Sequence, residues 1–215
     1  MQKVEISSLN DLNQLARCHI DCFPDTLASV LGMNYVRKRL EWLLVDADRF
    51  MLHIRNEQNE IVGYCAGSVL YKVGEGSSSN MFQYAFKEAI VGILQKPHLI
   101  FNKEVVKLYP FIFKNIKRKI RHLISKPKPI SVITQQNNTP KAGLVVIGIE
   151  SEYRGTGMFV QLMNEFEKQM IERKQQHVKL SVKQKNARAI AAYEKMGWIK
   201  IETLGDTFVM SKSLW

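Results

Sequence analysis

The stretch Ile149-Glu150-Ser151-Glu152-Tyr153-Arg154-Gly155-Thr156-Gly157-Met158-Phe159-Val160 (IESEYRGTGMFV) joins an apolar run to a long helical pattern. Gly155 and Gly157 flank Thr156, and Arg154 stands just before them. A glycine turn that opens a helix presents bare backbone N–H groups and the positive helix end, a cradle suited to phosphate. Two familiar cradles do not fit. A P-loop needs lysine and Ser/Thr after its last glycine, where this chain has Met158 and Phe159. A dinucleotide fingerprint needs a third glycine three positions past the second, where this chain has Val160.

Working outward, residues 144–149 are almost wholly apolar and read as a central strand. Past the turn, Phe159, Leu162, Met163, Phe166, Met170 and Ile171 form one helical stripe that runs to about Gln176. A strand over 178–182, a helix over 186–195 and a hairpin over 198–204 and 208–214 follow. Towards the other end, residues 4–7 read as a strand, and Asn10 or Asp11 caps a helix running to Cys22. A second helix is expected over 27–44, then a hairpin of strands 50–54 and 61–71, then a polar loop over 74–80. The order predicts one mixed α/β domain, its central sheet flanked by helices, with residues 74–141 a basic, helical insertion broken at Pro97, Pro110, Pro127 and Pro129.

A second patterned stretch lies about thirty residues beyond the glycine turn: Asn186-Ala187-Arg188-Ala189-Ile190-Ala191-Ala192-Tyr193-Glu194-Lys195-Met196-Gly197-Trp198. Asn186, Ala189, Ile190 and Tyr193 share a helical face, with an amide at its start and a phenol at its end. The two stretches, in this order, resemble the signature motifs of the GCN5-related N-acetyltransferases (GNAT), which take acetyl from acetyl-coenzyme A. The resemblance covers residues 142–214 well and 3–73 loosely. It implies that Arg154, Gly155, Thr156, Gly157 and Met158 wrap the coenzyme pyrophosphate, and that Ile147, Ile149 and Asn186 also contact the coenzyme. It further implies direct attack of an amine on the thioester, with Tyr193 protonating the leaving thiolate. One departure is Phe159, where the family has a small residue. The plainer alternatives are a core tyrosine at Tyr193 and a solvated face at Lys185 and Arg188.

The general base is poorly marked. Residues 144–149 hold no carboxylate, which leaves Glu150, Asp25, His53 or a water relay; Glu150, at the end of the strand, is taken as the catalytic carboxylate. No metal is expected. Cys18 and Cys22 share a helical face, but His19 points away and no second ligand pair follows.

The chain has 215 residues and a net charge of +11. Between Met81 and Ile130 there are eleven lysines and arginines against Glu88 and Glu104, so the excess is concentrated in the insertion. Within it Phe113, Ile116, Ile120, Leu123 and Ile124 fall on one helical face, with Lys114, Lys117, Arg118 and Arg121 among the bases beside them. This suits either a lid over the domain or an amphipathic element on an anionic membrane. No apolar run is long enough to span a bilayer and the first residues lack a signal-peptide core, so a cytoplasmic location is expected. The expected partner is a small-molecule amine, and not nucleic acid. The stretch CFPDTLASVLGMNYV (Cys22 to Val36) resembles acetyltransferases of amino sugars in bacterial surface-polysaccharide synthesis. Alternatives are a protein or other small-molecule amine as acceptor, or a module that binds coenzyme A or RNA without turnover.

Overall fold

The computed structural model describes residues 3–70, 78–106, 109 and 141–215. Its frame is a seven-stranded sheet among the described residues, in the order β1-β2-β3-β4-β5-β7-β6. The strands are β1 (Val4–Ile6), β2 (Arg49–Arg55), β3 (Ile61–Leu70), β4 (Lys141–Ile149), β5 (His177–Lys183), β6 (Ile199–Leu204) and β7 (Thr207–Ser213). Neighbours are antiparallel except β4 and β5. The mixed α/β architecture read from the sequence is therefore the observed one.

Each face of the sheet carries its own apolar cluster. On the first face lie α1 (Leu12–Cys22), α2 (Leu27–Leu31), α3 (Met33–Leu44), α4 (Ser78–Tyr84), α5 (Phe86–Gln95) and α6 (Lys103–Val106). Leu15, Val36, Leu40, Met51, Tyr64, Phe82 and Ala89 are buried there together. On the second face α7 (Met158–Glu172) and α8 (Ala187–Lys195) bury Leu162, Met163, Phe166, Ile190 and Tyr193 against Leu52, Cys65 and Leu180. β3 is buried on both faces, as befits a strand covered on each side.

Several local expectations are corrected. The helix expected over 27–44 is two helices, because Gly32 takes φ +100° and ends α2. Its N–H closes on the carbonyls of Ala28 and Ser29, a backbone setting that costs glycine little. Asp11 stands at the N-cap of α1 as expected but makes no side-chain cap bond there; its carboxylate serves instead the capping box with Ser8 around the 3-10 turn Leu9–Asp11. Residues 78–80, expected in a loop, begin α4. α7 ends at Glu172, and Ile171 is exposed, since helical steps from Phe166 reach Gln169 and Met170 instead.

The described part of the insertion packs on the first face. Met81, Phe82, Ala85, Ala89, Leu99 and Val105 join its cluster, and Lys96 Nζ donates to the Val30 carbonyl at 3.1 Å. Gly92 sits against Leu31, whose carbonyl oxygen would lie 2.5 Å from a Cβ there. The amphipathic cluster at 113–124 lies outside the described residues. No helix among the described residues is long and apolar enough to cross a membrane.

β4 and β5 come together at one paired position, Gly143 opposite Lys179. A Cβ on Gly143 would collide with the Lys179 carbonyl, which is backbone and cannot turn aside. Gly143→Val should therefore destabilise the fold by about 1–3 kcal/mol, the usual cost of overpacking. Urea unfolding at neutral pH measures this; an unchanged midpoint would show that the two strands yield freely.

Candidate active site

Parallel strands that meet near their starts and then part leave a crevice at their carboxyl ends, where ligands of open α/β sheets bind. Here β4 and β5 pair at Gly143, early in β4. Beyond it the chain turns from Ile149 into α7 and from Lys183 into α8, so two helix N-termini stand at the mouth of the parting. The side chains of Leu144, Val146, Ile147 and Ile149 stay half-buried although β4 is the middle strand. The middle strand of the sheet is thus left partly uncovered.

The glycine turn has the geometry its sequence suggests. Glu150 ends β4 and leads into the 3-10 turn Ser151–Tyr153. Gly155 and Gly157 then take φ +89° and +90°, with nothing within 4 Å of where a Cβ would stand. Gly157 is the N-cap of the 15-residue α7 and no side chain caps it. The N–H groups of its first turn therefore lack helical acceptors. The loop is braced from behind, with Arg154 Nε donating to the Ile149 carbonyl at 3.0 Å and Thr156 Oγ1 to that of Tyr153 at 2.7 Å. Donors without helical acceptors, a positive helix end and two bare glycines fit an anionic phosphate group.

At the second mouth, Asn186 Oδ1 accepts the Ala189 N–H at 3.2 Å and so caps α8. Its place in the sequence pattern thus has a structural cause as well. Two turns on from Asn186, Tyr193 is buried between Phe159, at 5.6 Å between ring centroids, and Trp198, at 6.1 Å. Phe159 points into the core between helix and sheet, which accommodates its departure from the small residue. Burial pushes the Tyr193 phenol up to about 12, so it holds its proton at neutral pH.

The three base candidates are scattered. Glu150 is half-buried beside a polar depression of about 230 Å³ lined by Gln14, Arg17, Asp21 and Glu60. Burial, then the Asp21 carboxylate, raises its pKa. Asp25 is exposed in the bend between α1 and α2. His53 lies on β2, two strands from β4, with Nδ1 on Ser7 Oγ at 2.9 Å and Nε2 3.4 Å from Glu5. The longer contact is outside good hydrogen-bond geometry, so the Ser7 bond is the one that fixes the ring. Among the described residues no group of three or more His, Cys, Asp or Glu is placed to hold a metal ion.

A polar pair that sequence reasoning did not find lies on the opposite side of β4 from Tyr193. Tyr64, fully buried on β3, hydrogen-bonds through its hydroxyl to His19 Nδ1 on α1 at 2.5 Å. β4 carries a bulge here: Val146 pairs with Ala66 and Leu144 with Gly67, so Val145 is the extra residue. The bulge turns Val145 and Val146 to the same side, where both line a cavity of about 150 Å³ with His19. Adjacent Gly148 is covered by Phe23 and Cys22, leaving no room for a Cβ. The bend after α1 therefore rests directly on β4.

The model of the acetyltransferase (GNAT) family matches residues 125–198. No curated protein matches the chain. Among solved structures it is similar to an aminoglycoside 6'-N-acetyltransferase from Acinetobacter baumannii, at TM-score 0.56 and 12% identity, covering 95% of each chain. It is also similar to the PaiA N-acetyltransferase of Thermoplasma acidophilum in complex with coenzyme A, at TM-score 0.54 and 14% identity over 99% of each chain. Arabidopsis thaliana NAA60 in complex with acetyl-CoA gives TM-score 0.57 and 13% identity, over 99% of this chain and 98% of that one. At these identities the likeness is one of fold.

The His19–Tyr64 pair carries a consequence for acid stability. Burial, then Arg39 nearby, lowers the His19 pKa from 6.5 to about 4. Between those values the unfolded chain binds a proton that the folded one does not. Stability is therefore full above about pH 6.5 and is lost as the pH falls towards 4. His53, also lowered by burial, acts in the same direction. His19→Gln should make the loss shallower without removing it, as read by urea unfolding from pH 7 to pH 4; an identical slope would exclude His19 as a contributor.

Proposed function

We propose that this chain, as the bearer of a GNAT acetyltransferase domain, moves acetyl from acetyl-coenzyme A to an amine by direct attack on the thioester. The observation that carries the reading is the parting of β4 and β5 with the uncapped end of α7 at its mouth. In this reading the N–H groups of Arg154, Gly155, Thr156, Gly157 and Met158 hold the pyrophosphate. The backbone at Ile147 and Ile149, on the uncovered strand, faces the pantetheine arm and the thioester oxygen, where an N–H donor stabilises the developing oxyanion. The amide of Asn186 contributes from the second mouth.

The amine nitrogen attacks the thioester carbonyl carbon, the C–N bond forms, and the C–S bond breaks as the tetrahedral intermediate collapses. Tyr193 supplies a hydroxyl proton to the departing sulfur and regains one from solvent. The proton shed by the attacking amine goes to Glu150, directly or through water. A carboxyl raised by burial and a neighbouring carboxylate is better matched to that task than an exposed one. An amino sugar, free or nucleotide-linked, is the acceptor favoured by the sequence around the bend after α1. Other small amines and protein amines belong to the same reaction class.

Thiol release from acetyl-coenzyme A with a panel of amines tests the reading. Release that requires both partners is expected. Coenzyme binding by calorimetry without release for any amine would instead make the chain a binding module. Tyr193→Phe keeps the ring and removes the proton, so turnover should fall about 10²- to 10⁴-fold with coenzyme affinity nearly unchanged. Near-normal turnover would leave Tyr193 a core residue. Gly157→Glu puts a carboxylate at the helix end and a side chain at φ +90°. In a folded variant, coenzyme affinity should drop at least tenfold, the effect of roughly 1.4 kcal/mol; unchanged affinity would remove the phosphate from this turn.

A further inference from the structure

The cavity beside the β4 bulge is apolar except at two groups. Val36, Leu40, Val145 and Val146 are among its walls, and His19 and Arg39 supply the polar atoms. Its volume, about 150 Å³, is that of a cavity that admits a ring of about six heavy atoms.

Both polar groups carry N–H donors. Arg39 is half-buried, its Nε donates to Met81 Sδ at 3.1 Å, and its guanidinium carbon lies 5.8 Å from the Tyr35 ring centroid. Among the described residues it pairs with no carboxylate. His19 Nε2 is buried without a partner. Its tautomer follows from Tyr64: a fully buried phenol needs an acceptor for its proton, and His19 Nδ1 is the one within reach. Donation from Tyr64 to Nδ1 leaves the hydrogen on Nε2. Both side chains line the cavity, and among the described residues that line it none is acidic. Burial, then Arg39, keeps His19 neutral, so the imidazole adds no second cation here.

We propose that this cavity receives an anionic oxygen group of the acceptor, a carboxylate or a phosphate, held by Arg39 and His19 Nε2–H. The inference rests on the acetyltransferase reading for its place in the reaction, because Val145 and Val146 belong to the strand assigned to the thioester. It narrows the acceptor to an amine borne on a small acid: an amino acid in one case, an amino-sugar phosphate in the other.

The test compares matched acceptors in the thiol-release assay. Amino acids are set against their amides, and phosphorylated amino sugars against the unphosphorylated forms. The acid of one pair should show a KM about 10- to 100-fold lower than its neutral partner, the range of a charge-assisted hydrogen bond. Which pair shows it identifies carboxylate or phosphate. Arg39→Met, which keeps an apolar body against Tyr35, should abolish the preference while the KM for acetyl-coenzyme A stays put. Arg39→Lys should restore part of it. Independently, butyrate or inorganic phosphate should raise the melting temperature of the wild type, relative to chloride at equal ionic strength, and not that of Arg39→Met. Equal KM values within both pairs, or a preference untouched by Arg39→Met, would overturn the inference and leave the acetyltransferase reading standing. Anion protection lost in Arg39→Met, with no thiol release for any amine, would keep the anion site and remove the acetyltransferase reading instead.

Discussion

Gly143 has no side chain, and Lys179 presents its carbonyl where one would stand. This close approach joins two halves of a sheet that otherwise have separate partners: β4 continues the antiparallel run through β1, β2 and β3, and β5 belongs with β7 and β6. Because contact is made at one end, the strands can part towards the other without unpicking either half. Antiparallel ladders on the outer sides hold each of the two strands in place, while the backbone groups that β4 and β5 turn towards each other beyond Gly143 stay free of strand partners. The crevice follows from that arrangement, and so does the location of both helix N-termini at its mouth.

The bulge at Val145 is the second constraint. A regular strand would send Val145 and Val146 to opposite faces. With one extra residue, both line the cavity on the first face, while Leu144, Ile147 and Ile149 pack with the cluster on the second. The middle strand thereby serves two chemically different surfaces. One side has an uncapped helix and a buried tyrosine that keeps its proton. The other has an imidazole and a guanidinium in an apolar wall. Burial acts on each group according to its charge: it raises phenols and thiols, as at Tyr193 and Cys65, and lowers imidazoles, as at His19 and His53.

Polar groups inside the first face are stabilised by local pairing. Ser7 meets His53, Tyr64 meets His19, and Tyr84 donates to Glu41 at 2.6 Å. Arg49 instead lies over Trp42, with its guanidinium carbon 3.6 Å from the ring centroid. The first three pairs join residues far apart in the chain; the Tyr64 and Arg49 contacts tie α1 and α3 to the sheet, and Tyr84 ties the described part of the insertion to α3. Some buried donors are still left over: His19 Nε2 has no partner, nor do His53 Nε2, Trp198 Nε1 and two nitrogens of Arg49.

Features that depend only on neighbours along the chain can be read from the order of the amino acids. Gly155 and Gly157 before an apolar stripe specify a tight turn and a helix, and Asn186 before Ala189 specifies a cap, because both rest on backbone geometry within a few residues. Alternation and apolar runs likewise placed the strands and the mixed α/β class. The break at Gly32 was not legible, since a glycine inside a helical pattern is tolerated unless its surroundings impose a positive φ. Tertiary structure alone decided that β4 and β5 touch at Gly143, that Val145 bulges, and that His53 sits two strands from β4. It also brought His19 and Tyr64, 45 residues apart, within one hydrogen bond. A histidine on a helix face carries no sign in the sequence of which side chain it will meet, because that meeting is fixed by how the helix crosses the sheet.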